Sequence, residues 1–321
     1  MNPSTASPSA PAGRPLASEP AQAAAKPLAP APAPAGSGVP TQTAFGCPRM
    51  FLENRFVYVV VSPRARGLSV CVNMNPNKQC NFGCIYCEVD RSIPSSEAHL
   101  DVEVAAAELT RTLAFVLSGQ LQQQPFYSAF PPELLTLRHV SLSGDGEPTL
   151  CPNFSEALES VIHVRARGRF PFFKLVLTTN ATGLDLPEVQ RSLKFLTKQD
   201  EIWAKLDVGT EAQFQTLNAP EAGITLEKVL SNILLVGRQR PIVIQSLFPI
   251  VAGLEPQAID IEQYAMRLKE LKAAGAQISL VQIYSATRPV VSRQCSHLPL
   301  KALSRIAQIV RLETGLRVEV Y

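Results

Sequence analysis

The chain has 321 residues, 46% of them hydrophobic and 18% charged, with a formal net charge of +3. That length can bury one large core or two modest ones. So small a charge does not demand nucleic acid, and no uncharged apolar run reaches the roughly 18 residues of a membrane span. Seven cysteines are present, three of them within residues 80–87. With no secretory signal pattern at the start, this favours metal binding over a disulfide framework and predicts a cytoplasmic setting.

Residues 1–42 hold ten of the 27 prolines and a dozen alanines. Such a segment buries too little apolar surface to offset its ordering entropy, so it is expected to be a disordered Pro/Ala-rich tail. Residues 43–321 are expected to form one folded domain. Leu68–Asn73 is the first expected strand. Leu100–Ser118 follows as a helix, with Asp101 to cap its start and Gly119 its end. Strand Leu137–Ser143 and helix Asn153–Arg167 come next, then strand Phe173–Thr179 and helix Leu186–Leu196. Strand Ile202–Asp207 precedes helical turns across Glu211–Gly237. Strand Ile242–Phe248, helix Ala258–Ala274, strand Gln277–Tyr284, helix Leu300–Thr314 and strand Leu316–Val320 complete the chain. Six β-then-α units predict an α/β fold with a parallel sheet, as either a partial barrel or an open doubly wound sheet. In both, functional groups gather at the C-terminal ends of the strands.

Cys80, Cys84 and Cys87 have the spacing C-x3-C-x2-C and directly follow a strand. Three thiolates so close can wrap one side of an iron–sulfur cluster, and a cluster with three protein ligands leaves one iron open. A structural zinc site is the competing reading, with Cys71 or His99 as the fourth ligand, although no second C-x2-C knuckle is present.

These cysteines, with Tyr86 between the last two, resemble the radical S-adenosylmethionine (SAM) superfamily. The resemblance implies a partial (βα)6 barrel, a [4Fe–4S] cluster on Cys80, Cys84 and Cys87, and SAM bound at the open iron. It implies reductive cleavage of SAM to a 5′-deoxyadenosyl radical that acts on a substrate. Ser143-Gly144-Asp145-Gly146-Glu147-Pro148 resembles the family's Gly-Gly-Glu element, with Asp145 in place of the first glycine. Thr178-Thr179-Asn180 resembles its Thr-Asn pair. Tyr86, Gly144, Asp145, Gly146, Glu147, Asn180, Lys205 and Asp207 are the SAM contacts so implied. Lys205 and Asp207 lie two apart and share a strand face.

Val59–Ser62, Gly67–Ser69, Asn73–Pro76 and Gln282–Pro289 bring the chain closer to a bacterial group allied with wyosine-type tRNA-modifying synthetases. Those enzymes carry further cysteines upstream for a second cluster. Here only Cys47 and Cys71 lie upstream, so a second cluster is not expected. The implied substrate is an RNA or a small molecule, and the implied electron donor is a flavodoxin or ferredoxin. The alternative is a non-enzymatic zinc- or cluster-stabilised scaffold acting through its proline-rich tail.

Other residues read more plainly. Cys151 is a small buried hydrophobe, and His139 and Trp203 are core residues. His163 and His297 lack acid–base partners in sequence. Arg91 and Arg288 sit where a guanidinium could bind a carboxylate or phosphate, or simply be solvated. Methyl transfer through a dedicated cysteine has no motif behind it, Cys295 being the remaining candidate.

Overall fold

The computed structural model describes residues 50–321 except 288, 289, 291 and 293. The tail expected over residues 1–42, Cys47 and Arg288 therefore lie outside the described residues.

The first strand is one the periodicity did not reveal. β1 (Val57–Ser62) forms an antiparallel hairpin with β2 (Gly67–Asn73), pairing Val57 with Val72 and Ser62 with Gly67. Its run of valines carries no α-helix after it, so βα alternation gives no cue. The turn is made by Pro63–Arg66, with Arg66 at φ 54° and its N–H donating to the Pro63 carbonyl at 2.9 Å.

From β2 onward the alternation runs as expected. α1 (Val102–Leu117) is capped by Asp101, whose carboxylate accepts from the Val104 N–H at 3.1 Å. β3 (Leu137–Ser143), α2 (Phe154–Ala166), β4 (Lys174–Thr179), α3 (Pro187–Leu193) and β5 (Glu201–Lys205) follow. The helical stretch expected over Glu211–Gly237 is two helices, α4 (Glu211–Leu217) and α5 (Leu226–Gln239). Pro220 and Gly223 interrupt it, and Thr225 caps the second helix. β6 (Ile242–Leu247), β7 (Ile250–Val251), α6 (Ala258–Ala273), β8 (Ile278–Tyr284), β9 (Cys295–Ser296), α7 (Leu300–Thr314) and β10 (Val318–Val320) end the chain.

The main sheet has the order β1-β2-β3-β4-β5-β6-β8-β10, and every pairing from β2 to β10 is parallel. The six βα units, β2 through β8, build a curled partial barrel. β1 and β10 are its edges and do not pair with each other. Side chains reach across at the β1–β2 turn: Arg66 Nη2 meets Glu319 Oε2 of β10 at 3.0 Å, and the Arg64 guanidinium lies 4.2 Å over the Tyr284 ring.

The strand period of two separates two faces. Val70, Leu142, Leu175, Leu177, Ile202, Ile244 and Val281 alternate outward and join one buried core with Leu109, Leu158, Ile233, Leu268 and Ile306 of the helices. Each such side chain contributes about 1.5–3 kcal/mol on burial. The inward positions are different. Val176, Trp203 and Val243 form a small separate apolar cluster. Beyond it stand polar groups such as Gln245 and Gln282, hydrogen-bonded to each other at 2.9 Å though both are buried. Among the described residues no helix is long and apolar enough to cross a membrane.

Candidate functional site

The loop after β2 carries Cys80, Cys84 and Cys87, all half-buried. It is strapped to the connection between α4 and α5. Gly83 N–H donates to the Ala219 carbonyl at 2.8 Å, Ile85 N–H to Leu217 at 3.0 Å, and Glu221 N–H to Asn81 at 2.9 Å. Phe82 packs edge-on against Phe214 of α4, centroids 5.2 Å apart. The loop is thus held by paired backbone and one aromatic contact.

Each sulfur faces an N–H donor. Arg91 Nη1 lies 3.3 Å from Cys87 Sγ, Asn218 Nδ2 3.6 Å from Cys84 Sγ, and Asn180 Nδ2 4.0 Å from Cys80 Sγ. Burial pushes the Cys80 thiol up to about 11 and the Cys84 thiol up to about 12. Such thiols give up their protons when a metal compensates the charge. Among the described residues no group of three or more His, Cys, Asp or Glu side chains is gathered closely enough to hold a metal ion. Cys71 is on the inner face of β2, and His99 is exposed; the thiol donor set of the loop suits an iron–sulfur cluster.

The Gly144–Glu147 turn closes against this loop. A Cβ on Gly146 would lie 1.9 Å from the Gln79 carbonyl oxygen. Gly144 has φ +151°, and a Cβ there would fall 2.2 Å from Asn73 Oδ1. The close approach these glycines permit in the fold is therefore of the chain to itself. Asp145 is bound from both sides by Asn73, which donates to Asp145 Oδ2 at 2.7 Å and accepts from the Asp145 N–H at 3.1 Å.

Glu147 turns inward. Its carboxylate accepts from the Thr149 N–H at 3.1 Å, Thr149 Oγ1 at 2.7 Å, Thr179 Oγ1 at 2.5 Å and the Asn180 N–H at 2.6 Å. It ties the end of β3 to the end of β4, and its outward neighbour is Asn180. That side chain donates to Asn81 Oδ1 at 2.8 Å, and Thr182 Oγ1 donates to Asn180 Oδ1 at 2.7 Å.

Lys205 and Asp207, expected to share a strand face, meet each other and also Tyr86, although β5 ends at Lys205 and Asp207 lies just beyond it. Lys205 Nζ stands 3.3 Å from Asp207 Oδ1, and the Tyr86 hydroxyl donates to Asp207 Oδ2 at 2.5 Å. The Leu247 N–H donates to Asp207 Oδ1 at 2.7 Å. Burial opposes the charge on Lys205, but Asp207 and Tyr284 outweigh it and hold the ammonium above the usual lysine range. Burial first, then Asp207, pushes the Tyr86 phenol well above its ordinary value, so it stays a donor.

Two partners escaped sequence reading. Tyr284 accepts from Lys205 Nζ at 2.9 Å, and Asn218 donates to the Tyr86 hydroxyl at 3.0 Å and to Asp207 Oδ2 at 2.9 Å. Asn218 looks like an ordinary helix C-cap in sequence, and it also serves as one after α4. Arg91 touches Cys87, a partner the sequence reading did not name for it. Cys295 packs in a small cluster with Tyr86, Leu247 and Ala286.

Behind the loop lies a chamber of about 570 Å³ on the inner face of β1 to β5. Its wall includes Cys71, Asn73, His139, Ser141, Thr178 and Trp203. Asp145 and Gly144 line the same space. Its volume suits a small-molecule ligand. His139 and Trp203 are buried, as expected of core residues, but both face this chamber rather than the helices.

No protein-family model matches the chain. A UPF0026 protein of Synechocystis sp. is 32% identical over 154 residues, 48% of each chain. A UPF0026 protein of Helicobacter pylori is 27% identical over 231 residues, 70% of this chain and 66% of that one. The chain thus spans about half the length of the first of these relatives and just under two thirds of the second. A radical SAM methyltransferase from Sphaerobacter thermophilus superposes with a TM-score of 0.58 at 14% identity, covering 83% of this chain and 68% of that one. SuiB of Streptococcus suis, solved with S-adenosylmethionine, gives 0.52 at 14% identity over 80% of this chain and 51% of that one. TYW1 with a lysine–pyruvate adduct gives 0.51 at 14% identity over 79% of this chain and 75% of that one. With six βα units on a parallel sheet and a three-cysteine loop between the strand and the helix of the first, the chain has the partial-barrel fold of the radical SAM enzymes.

Proposed function

We propose that this chain is a radical SAM enzyme. Cys80, Cys84 and Cys87 hold a [4Fe–4S] cluster, and SAM lies between that loop and the ends of the strands. One observation carries the reading: three thiols on a strapped loop, each facing an N–H donor, beside a small-molecule-sized chamber. When bound, cluster and SAM supply an electron and a 5′-deoxyadenosyl radical, and the protein positions and shields them.

The chain's own residues divide the remaining work. Arg91, Asn180 and Asn218 stabilise thiolate charge with their N–H groups. Tyr86 lends a ring face at the loop, with Lys205 Nζ 4.9 Å from its centroid. Lys205 and Asp207 offer a fixed cation and anion to the polar ends of SAM. The Gly144–Gly146 turn and Asn180 line its remaining sides, and Glu147 positions Asn180 through the backbone. The chamber behind takes the substrate, and a flavodoxin- or ferredoxin-class carrier, in a reducing cytoplasm, supplies the electron.

The test is anaerobic reconstitution with iron and sulfide, then reduction with SAM present, with 5′-deoxyadenosine as the readout. It forms in the wild type and is lost in Cys84→Ala. A wild-type protein that holds one zinc and no iron after anaerobic purification would sink the reading.

A further inference from the structure

Charge is unevenly spread over the chamber wall. Its acidic side chains are Glu88, Asp90 and Glu97, on the segment after the cluster loop, and Asp145, on the turn after β3. Lys78 Nζ pins that segment through the Asp90 and Ile93 carbonyls, each at 2.7 Å, and Arg55 pins it through a two-pronged pair with Glu97. Both anchors stand where β1 begins and β2 ends. Arg64 also lines the chamber, but from the turn at the opposite end of the β1–β2 hairpin. Along the strands the two ends are about 17 Å apart.

Arg64 is a half-buried cation without a carboxylate. Its side chain makes no ion pair and no hydrogen bond to any described residue; its guanidinium rests 4.2 Å over the Tyr284 ring. The hydroxyl of the same tyrosine accepts from Lys205 Nζ. Two cations therefore share one tyrosine, and only Lys205 has a carboxylate, Asp207, to balance it. The other nearby cations are balanced too: Arg66 by Glu319 and Lys174 by Glu201. Burial, then Lys174 and Arg64, keep the His139 imidazole neutral, so it adds no charge. The same wall carries hydroxyls without partners. Ser141 of β3 is only 5% exposed, lines the chamber, and makes no side-chain hydrogen bond to a described residue. Thr178 of β4 also lines the chamber and is likewise unpartnered. Buried hydroxyls ordinarily find a protein partner. Here they open onto the chamber instead.

We propose that the chamber binds an acidic small molecule, with Arg64 holding its carboxylate or phosphate and Ser141 and Thr178 holding polar groups along its length. This rests on the radical SAM reading above, under which the acid is the substrate of the radical. A guanidinium stacked on an aromatic ring keeps its N–H fork in the plane, and a carboxylate or phosphate oxygen pair matches that fork. A volume of about 570 Å³ admits a small acid and no length of polynucleotide. The charge pattern also sets the direction of binding. The acidic segment repels an anion and Arg64 attracts it, so the oxyanion lies against Arg64 and the uncharged remainder points away from it.

The chamber carries its own reporter. Trp203 is the single tryptophan of the sequence, and it lines the chamber. Tryptophan emission therefore reads this space alone. The reconstituted full chain, with SAM present and the cluster oxidised, is titrated at constant ionic strength with inorganic phosphate, with acetate, and with acetamide as the neutral match of acetate. A saturable change with phosphate assigns a phosphate ester, one with acetate a carboxylic acid, and acetamide should give none. The apparent Kd should weaken about tenfold or more in Arg64→Ala and recover in part in Arg64→Lys.

Three outcomes overturn the proposal and leave the radical SAM reading standing. Neither anion saturates; acetamide binds as well as acetate; or wild type and Arg64→Ala bind the anion equally. A fourth is competition: if the anion binds only when SAM is left out, Arg64 serves the SAM carboxylate and not a substrate. The radical SAM reading is scored separately on the wild type. No cluster, or no 5′-deoxyadenosine on reduction with SAM, removes that reading, and the substrate role of the chamber with it.

Discussion

The two faces of the sheet obey different rules. The outer face is a continuous apolar surface, with Leu142, Leu175, Ile202, Ile244 and Val281 buried under the helices in one core. The inner face of the same strands presents Ser69, Cys71, His139, Ser141 and Thr178 to a chamber of about 570 Å³. One strand serves both because its side chains alternate. The outer face holds the fold together; the inner face and the strand ends carry the polar groups, braced by hydrogen bonds rather than by packing. Residues one apart in sequence thus do opposite work, which gives the comparison sharp tests.

The largest expected effect is at the strand ends. Replacing Cys80, Cys84 or Cys87 with alanine should abolish iron retention after anaerobic reconstitution, with the far-UV circular dichroism of the wild type preserved. Full iron retention in any one of the three would break the division, because the loop would then be structural.

Next is a neighbouring pair on β3. Leu142→Ala on the outer face should cost about 2–5 kcal/mol in urea unfolding, through lost burial and a residual cavity. Ser141→Ala on the inner face should cost less than about 1 kcal/mol. Equal costs would show that both faces are packed as core.

Glu147 is the polar brace between the two strand ends. Glu147→Ala strands the donors of Thr149, Thr179 and Asn180, and should cost about 1–3 kcal/mol. The same unfolding assay checks it; a neutral result would mean that water replaces the carboxylate.

His139 gives a pH dependence. Burial, then the nearby cations Lys174 and Arg64, pushes its pKa down to about 3. An unfolded imidazole titrates near 6.5. Between those values the unfolded chain binds the proton and the native one does not. The contribution is full above about pH 6.5 and falls as pH drops towards 3, by up to about 1.4 kcal/mol per pH unit. His139→Gln should flatten the stability profile between pH 7 and pH 5, and an unchanged slope would mean that the imidazole is hydrated in the chamber.

The smallest effect is at the rim. Arg66→Ala removes the pair with Glu319 that spans the two sheet edges, yet the arginine side chain is 68% exposed. The loss should stay below about 1 kcal/mol and shrink in high salt. A larger loss would make the bridge between the edges part of the barrel's stability.

Much of the site was legible because its chemistry depends on local spacing. Three cysteines in eight residues, and Lys205 two before Asp207, specify proximity without any knowledge of the fold. The partners that complete the site were not legible, because contacts between distant segments leave no trace in spacing. Asn218 reads as a helix cap until the loop strap brings it onto Cys84 and Tyr86. Tyr284 reads as a strand end until the sheet curls it against Lys205. Ser69 reads as a strand residue until the β2–β3 register sets it opposite His139.

Taken alone, the sequence determined the alternation of strands and helices from β2 onward, the outward apolar positions, and the loop that gathers three thiols. These follow from periods of two and 3.6 and from turn chemistry, all of which act over a few residues. Only the tertiary structure decided that the first strand is a hairpin edge, that Glu147 turns inward, and that the buried His139 and Trp203 also line a chamber. Those outcomes depend on sheet order, register and curl, which set one distant strand against another and are written in no single stretch of the chain.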